Sequence, residues 1–219
     1  MRLDDATLRE REALAQEQYR ACRLCPRFCE VDRTRGATGP CAIDDGVHLG
    51  GWGVHFGEEP QLTGRGGCGL VLLAACNLAC RGCETHGFSR ELKGVRRATV
   101  AELAGIVLEL QRRGAETVQF VTPTHQLPAI VSALRRARAH GFDRPIVWNC
   151  GGYESVEALR LLDGIVDVYL PDLKHGTDDE GKLTGVPDYW TRAQDAIREM
   201  HRQVGDLDDR PSGVSTRGL

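Results

Sequence analysis

Three cysteines, Cys76, Cys80 and Cys83, follow the apolar run Leu70 to Ala75 with the spacing C-x3-C-x2-C. Thiolates suit iron, and three of them hold three corners of a four-iron cube. The fourth iron then has no protein ligand and is open to a small molecule. A purely structural metal site closes its own coordination sphere. Zinc, or three buried thiols, is the competing reading of the same residues.

A second set, Cys22, Cys25, Cys29 and Cys41, has the spacing C-x2-C-x3-C-x11-C. Four thiolates suffice for a closed site, either zinc or a second iron–sulfur cluster. Zinc would fold the surrounding module, whereas a cluster would relay electrons. Cys68 and Cys150 belong to neither set and read as small buried apolar residues. The histidines show no paired metal spacing.

The 219 residues carry a net charge of −3. That gives no bulk electrostatic case for nucleic acid or an anionic membrane. No stretch of 18 apolar residues occurs, and the start, Met1 to Asp5, has no apolar signal region. The expected location is the cytoplasm, where nine cysteines point to metal or redox chemistry rather than disulfides.

The elements that must position these residues follow from periodicity. Residues 1 to about 20 read as a sparse amphipathic helix that needs a docking surface. Residues 21 to 66 are rich in Cys, Gly, Arg and Pro and read as a loop-rich metal-binding module, so residues 1–66 form one unit. Residues 67–205 alternate strand and helix. Strands are expected at 70–75, 117–122, 145–150 and 165–170, with helices near 99–113, 127–140, 155–162 and 187–204 between and after them. This is an α/β pattern of parallel units. A polar tail, 206–219, follows.

Chemistry-bearing residues gather after each strand: Cys76 to Cys83, Thr122 to His125, Asn149 to Gly152, and Pro171 to His175. Carboxyl ends of parallel strands are where such folds put their sites. Asn149 and Tyr153 are candidates to line the pocket.

The cysteine motif resembles that of radical S-adenosylmethionine enzymes. Gly57-Glu58-Glu59-Pro60, Cys76-Asn77-Leu78, Thr122-Pro123-Thr124-His125, Gly151-Gly152-Tyr153-Glu154 and Tyr169-Leu170-Pro171-Asp172-Leu173-Lys174 are similar to the branch related to pyruvate formate-lyase activating enzyme. The resemblance spans roughly residues 20 to 219. It implies a partial β/α barrel of six strands, of which this chain supplies four, and hence a chain truncated at its C-terminus. It implies a [4Fe–4S] cluster on Cys76, Cys80 and Cys83. It also implies reductive cleavage of S-adenosylmethionine to a 5′-deoxyadenosyl radical that abstracts hydrogen.

Asp172 and Lys174 match the branch's Asp-x-Lys string, which lies near the cofactor's carboxylate with a monovalent cation close by. Thr122, Thr124 and His125 stand where relatives carry the Gly-Gly-Glu string that holds its amino group. Gly82 replaces an aromatic residue that packs on adenine, and Glu84-Thr85 replaces Gln-Asn. The implied partners are an electron donor such as a flavodoxin or ferredoxin, and either a glycyl-radical protein or a small-molecule substrate. The rival readings are an iron–sulfur binding or electron-transfer protein without radical chemistry, and a zinc-stabilised interaction module.

Overall fold

The computed structural model describes residues 3–208 and 213–219. In chain order the elements are α1 (Asp5–Glu17), β1 (Val47–His55), α2 (Pro60–Thr63), β2 (Cys68–Leu73), α3 (His86–Ser89), β3 (Arg96–Ala98), α4 (Val100–Arg112), β4 (Thr117–Val121), α5 (Leu127–Arg138), β5 (Ile146–Cys150), α6 (Val156–Arg160), β6 (Val168–Pro171), α7 (Asp178–Gly181) and α8 (Tyr189–Val204). One six-stranded sheet has the order β3-β1-β2-β4-β5-β6. The pairs β2–β4, β4–β5 and β5–β6 are parallel. These are the four strands expected from the sequence, in order, as a partial β/α barrel requires.

Val71, Leu73, Val118, Phe120, Ile146 and Trp148 are all buried. Parallel strands are covered on both faces, which is why they read as largely apolar runs. A capping box forms at α4, where the Thr99 side chain accepts from the Glu102 N–H and Glu102 accepts from Thr99 N–H. The N-terminal helix finds its docking surface on α5. Gln16 Nε2 donates to Pro128 O and Ser132 Oγ, and Arg135 pairs with Glu12.

Two strands were not expected. β1 runs antiparallel to β2, and β3 antiparallel to β1, so the stretch read as loop-rich contributes nine sheet residues. Gly50, Gly51 and Gly53 in β1 masked its pattern. Gly50 has a physical reason: a Cβ there would lie 2.8 Å from the Phe88 ring of α3.

The outer edge of β6 carries part of the terminal segment. Tyr169 N–H donates to Gly218 O at 3.0 Å, and Gly218 N–H donates to Asp167 O at 3.1 Å. Gly218 has φ +131°, and a Cβ there would sit 2.2 Å from Leu207 Cα. Only glycine fits that crossing. Ser215 is buried and its N–H donates to Gln61 O. Among the described residues no helix is long and apolar enough to cross a membrane.

Candidate functional site

Each parallel strand ends on one rim, and the rim encloses a cleft of about 640 Å³. That is within the size range of small-molecule sites, roughly 300–1,000 Å³. Cys76, Cys80 and Cys83 line it, together with Thr122, Asn149, Asp172 and Lys174. The cleft thus unites residues from four separate β/α units.

The cysteine loop is held from several sides. Ala75, just before it, has φ +67°, a left-handed conformation unusual outside glycine. The carbonyl of Ala74 accepts from both His125 Nε2 (2.8 Å) and Gln126 Nε2 (3.0 Å). Gln126 also bonds His48 N–H and His48 O of β1, so one side chain joins β1, the cysteine loop and the turn after β4. Further along, Asn77 Nδ2 donates to Tyr153 O, Ala79 N–H to Thr184 O and Arg81 N–H to Leu183 O. Arg27 of the cysteine-rich module donates to Asn77 O at 2.7 Å.

The three thiols have different surroundings. Burial pushes Cys76 up to about 12 and raises Cys80. Burial also acts on Cys83, but hydrogen bonds with Ser89 Oγ (3.2 Å) and Thr85 Oγ1 (3.4 Å), with the Lys174 charge, leave it below the ordinary thiol value. Cys83 is therefore the readiest of the three to become a thiolate. Lys174 Nζ lies 2.6 Å from Asp172 Oδ2 and its charge also favours the Cys80 thiolate.

The remaining candidates are placed as follows. Thr122 has φ +56°, a rare conformation for a β-branched residue, and its N–H donates to Asn149 O. Thr124, expected beside Thr122, is buried behind the cleft with its hydroxyl towards the Glu154 carboxyl. His125 faces Ala74 rather than the cleft, and burial pulls it down to about 3, so it stays neutral. Tyr153 is buried and donates to Asp188 Oδ1. Cys68 is buried at the start of β2, whereas Cys150 is buried yet forms part of the cleft wall. Gly82 lines the cleft, and a Cβ there would meet nothing within 4 Å among the described residues, so the position leaves open space.

The sequence reading missed Tyr189, Ser89 and Glu154. Tyr189 OH lies 2.8 Å from Gly151 O and 2.9 Å from Asp172 O, and accepts from Lys174 N–H. It fixes the β5 and β6 rims to each other. Its one signal was an aromatic residue at the start of a strongly amphipathic helix. Ser89 follows the motif by six residues and has no signal of its own. Glu154 is only 3% exposed, among the described residues its Oε1 has no hydrogen-bond partner, and burial raises it to about 7.

The four module cysteines lie close together. Cys25 is affected by the charges of Cys22 and Cys41, and Cys29 by that of Cys22. Among the described residues no three His, Cys, Asp or Glu side chains gather tightly enough for a single metal ion. Separate irons of a cluster hold their thiolates further apart than one ion does. The cleft-lining thiols, the adjoining polar groups and the volume fit a cluster with a small molecule beside it.

An uncharacterized protein of Methanocaldococcus jannaschii, MJ0674, is 29% identical over 202 residues, covering 88% of this chain and 56% of the relative. The chain thus spans just over half the length of that relative. No solved structure matches. The family model of the Radical SAM superfamily matches residues 70–206, from the strand before the cysteine motif to the end of the last helix, and the chain belongs to that superfamily.

Proposed function

We propose that this chain is a radical S-adenosylmethionine enzyme of the activating-enzyme type. The superfamily in general uses a [4Fe–4S] cluster and S-adenosylmethionine for radical reactions. Bound together, the two supply a 5′-deoxyadenosyl radical that abstracts hydrogen. The observation that carries the reading is the meeting of Cys76, Cys80 and Cys83 with Asp172 and Lys174 in one cleft.

The chain's own residues have separable tasks in this reading. Cys76, Cys80 and Cys83 hold the cluster. Lys174, oriented by Asp172, attracts the cofactor's carboxylate, and Thr122 and Asn149 offer hydrogen-bonding groups to its polar end. Buried Cys150 and Leu78 exclude water from one wall. The Asp-x-Lys string supports the activating-enzyme branch, with a glycyl-radical protein as the substrate class. A low-potential flavodoxin or ferredoxin would supply electrons in the cytoplasm. The module's Cys22, Cys25, Cys29 and Cys41 hold an accessory metal centre.

A second reading, an iron–sulfur protein without radical chemistry, draws on the open space at Gly82. Anaerobic reconstitution with iron and sulfide, followed by reduction in the presence of S-adenosylmethionine, separates them. 5′-Deoxyadenosine together with about four irons on the cleft cysteines supports the proposal. Iron without 5′-deoxyadenosine supports the second reading, and zinc without iron uptake refutes both.

A further inference from the structure

The module cysteines and the cleft cysteines are adjacent in space, although Cys41 and Cys76 are far apart in sequence. A second cavity, of about 270 Å³, is lined by Cys41 and Cys76 together, with Arg27, Arg90 and Leu78 around them. Cys25, Cys76 and Cys80 also pack against one apolar cluster built on Leu78, Tyr153 and Tyr189. Arg27 joins the two parts, donating to Asn77 O and to Gly185 O. On the other side the module faces water: residues 34–38, Pro40 and Ala42 are exposed. A structural metal knot has no need of both neighbours. A relay needs one face towards a donor and one towards the acceptor.

We infer that Cys22, Cys25, Cys29 and Cys41 hold a second iron–sulfur cluster that passes electrons to the cluster in the cleft. This rests on the reading of Cys76, Cys80 and Cys83 as cluster ligands. Cys41 and Cys76 line one small cavity and Cys25 and Cys76 pack on one apolar cluster, so the two centres would be direct neighbours. The step is a one-electron transfer: an external low-potential flavin or iron–sulfur protein is oxidised by one electron, the module cluster takes it, and the cleft cluster is reduced. No bond forms or breaks. Oxidation of the module would leave the cleft cluster intact but slow to reduce.

The test uses the full chain, reconstituted anaerobically with ferrous iron and sulfide in the presence of equimolar zinc. The wild type should bind about eight irons, and the triple variant C76A/C80A/C83A about four, with its own spin-resonance signal after reduction. Zinc but no iron in that triple variant overturns the inference. Should the wild type and the triple variant bind the same four irons, the module holds a cluster but the cleft does not. The relay then falls together with the proposed function, an outcome distinct from the first.

Electron flow is read with Cys41→Ser, which alters one ligand at the shared cavity, alongside the variant lacking all four module cysteines. Reduction of the cleft cluster by reduced flavodoxin should slow by more than an order of magnitude. Reduction by dithionite, small enough to enter the cleft, should persist and shows that the cleft cluster is still assembled. Equal flavodoxin rates in wild type and variants with an intact cleft cluster overturn the relay.

Discussion

Glu154 sits between the two cysteine sets, and its charge reaches Cys25, Cys76 and Cys150. Among the described residues no Lys or Arg charge acts to lower its pKa. The Thr124 hydroxyl and the Cys150 thiol lower its pKa, but burial raises it more, from 4.5 to about 7. A shift of that size corresponds to about 3 kcal/mol, at 1.36 kcal/mol per unit. The direction follows from proton counting. Between pH 4.5 and 7 the folded chain keeps this proton and the unfolded chain has lost it. Stability from this group is therefore complete below pH 4.5, declines as pH rises, and is lost above pH 7.

The buried neutral His125 acts in the opposite sense. Its pKa falls from 6.5 to about 3, so its contribution is complete above pH 6.5 and is lost as pH falls towards 3. The wild-type profile mixes the two, and the variant Glu154→Gln isolates the first. Glutamine keeps the shape of the protonated acid and does not titrate. Urea unfolding of wild type and Glu154→Gln, at matched metal loading, should show a difference that grows by about 3 kcal/mol in favour of the variant as pH passes from 4.5 to 8. A difference that stays constant across that range would refute the reasoning, because a packing effect has no pH dependence.

Four further perturbations follow from the structure. Gly82→Phe places a ring where a side chain has open space, and should tighten S-adenosylmethionine binding by about 1 kcal/mol, measured by calorimetry on the iron-loaded protein. Ser89→Ala removes a hydrogen bond to the Cys83 sulfur, so the midpoint of Cys83 alkylation by iodoacetamide should move to higher pH in the metal-free chain. Tyr189→Phe leaves the Lys174 N–H without its partner and should cost about 1–2 kcal/mol of stability while weakening cofactor binding, read by urea midpoint and by calorimetry. Gly218→Ala should lower the urea midpoint and speed amide exchange at Tyr169, whose N–H bonds the Gly218 carbonyl; unchanged exchange would mean that the β6 edge does not depend on that contact.

The four parallel strands could be read in the sequence because burial on both faces makes each a short, largely apolar run, even where Gln119 or Asn149 interrupts it. β1 could not, since three glycines interrupt its alternation and its partner β2 decides its conformation. β3 is three residues long and begins Arg96-Arg97, so it has no pattern to read. The same division holds in the site. Metal-ligand spacing is local, and Cys76, Cys80 and Cys83 declare it in eight residues. Orientation is not local. Thr122 and Thr124 are equivalent by composition, yet the left-handed backbone at Thr122 leaves one in the cleft and turns the other towards Glu154.

The residues that no motif marks share one property: each joins segments distant in the chain. Gln126 ties β1 to the cysteine loop, Tyr189 ties the β5 rim to the β6 rim, and Arg27 ties the module to Asn77. Their partners are backbone carbonyls and amides, which every residue carries and no sequence pattern labels. Backbone partners also explain why these residues matter to the site without touching a ligand. A side chain bonded to two rims holds their separation constant, and the cleft must keep that separation when a charged cofactor enters. The positions that set the cleft's shape are therefore expected to tolerate conservative changes in stability better than in cofactor affinity. Comparing urea midpoints with binding constants for Gln126→Leu and Tyr189→Phe gives that ratio directly. A pair of variants that loses stability and affinity in equal proportion would place the role of these residues in folding alone.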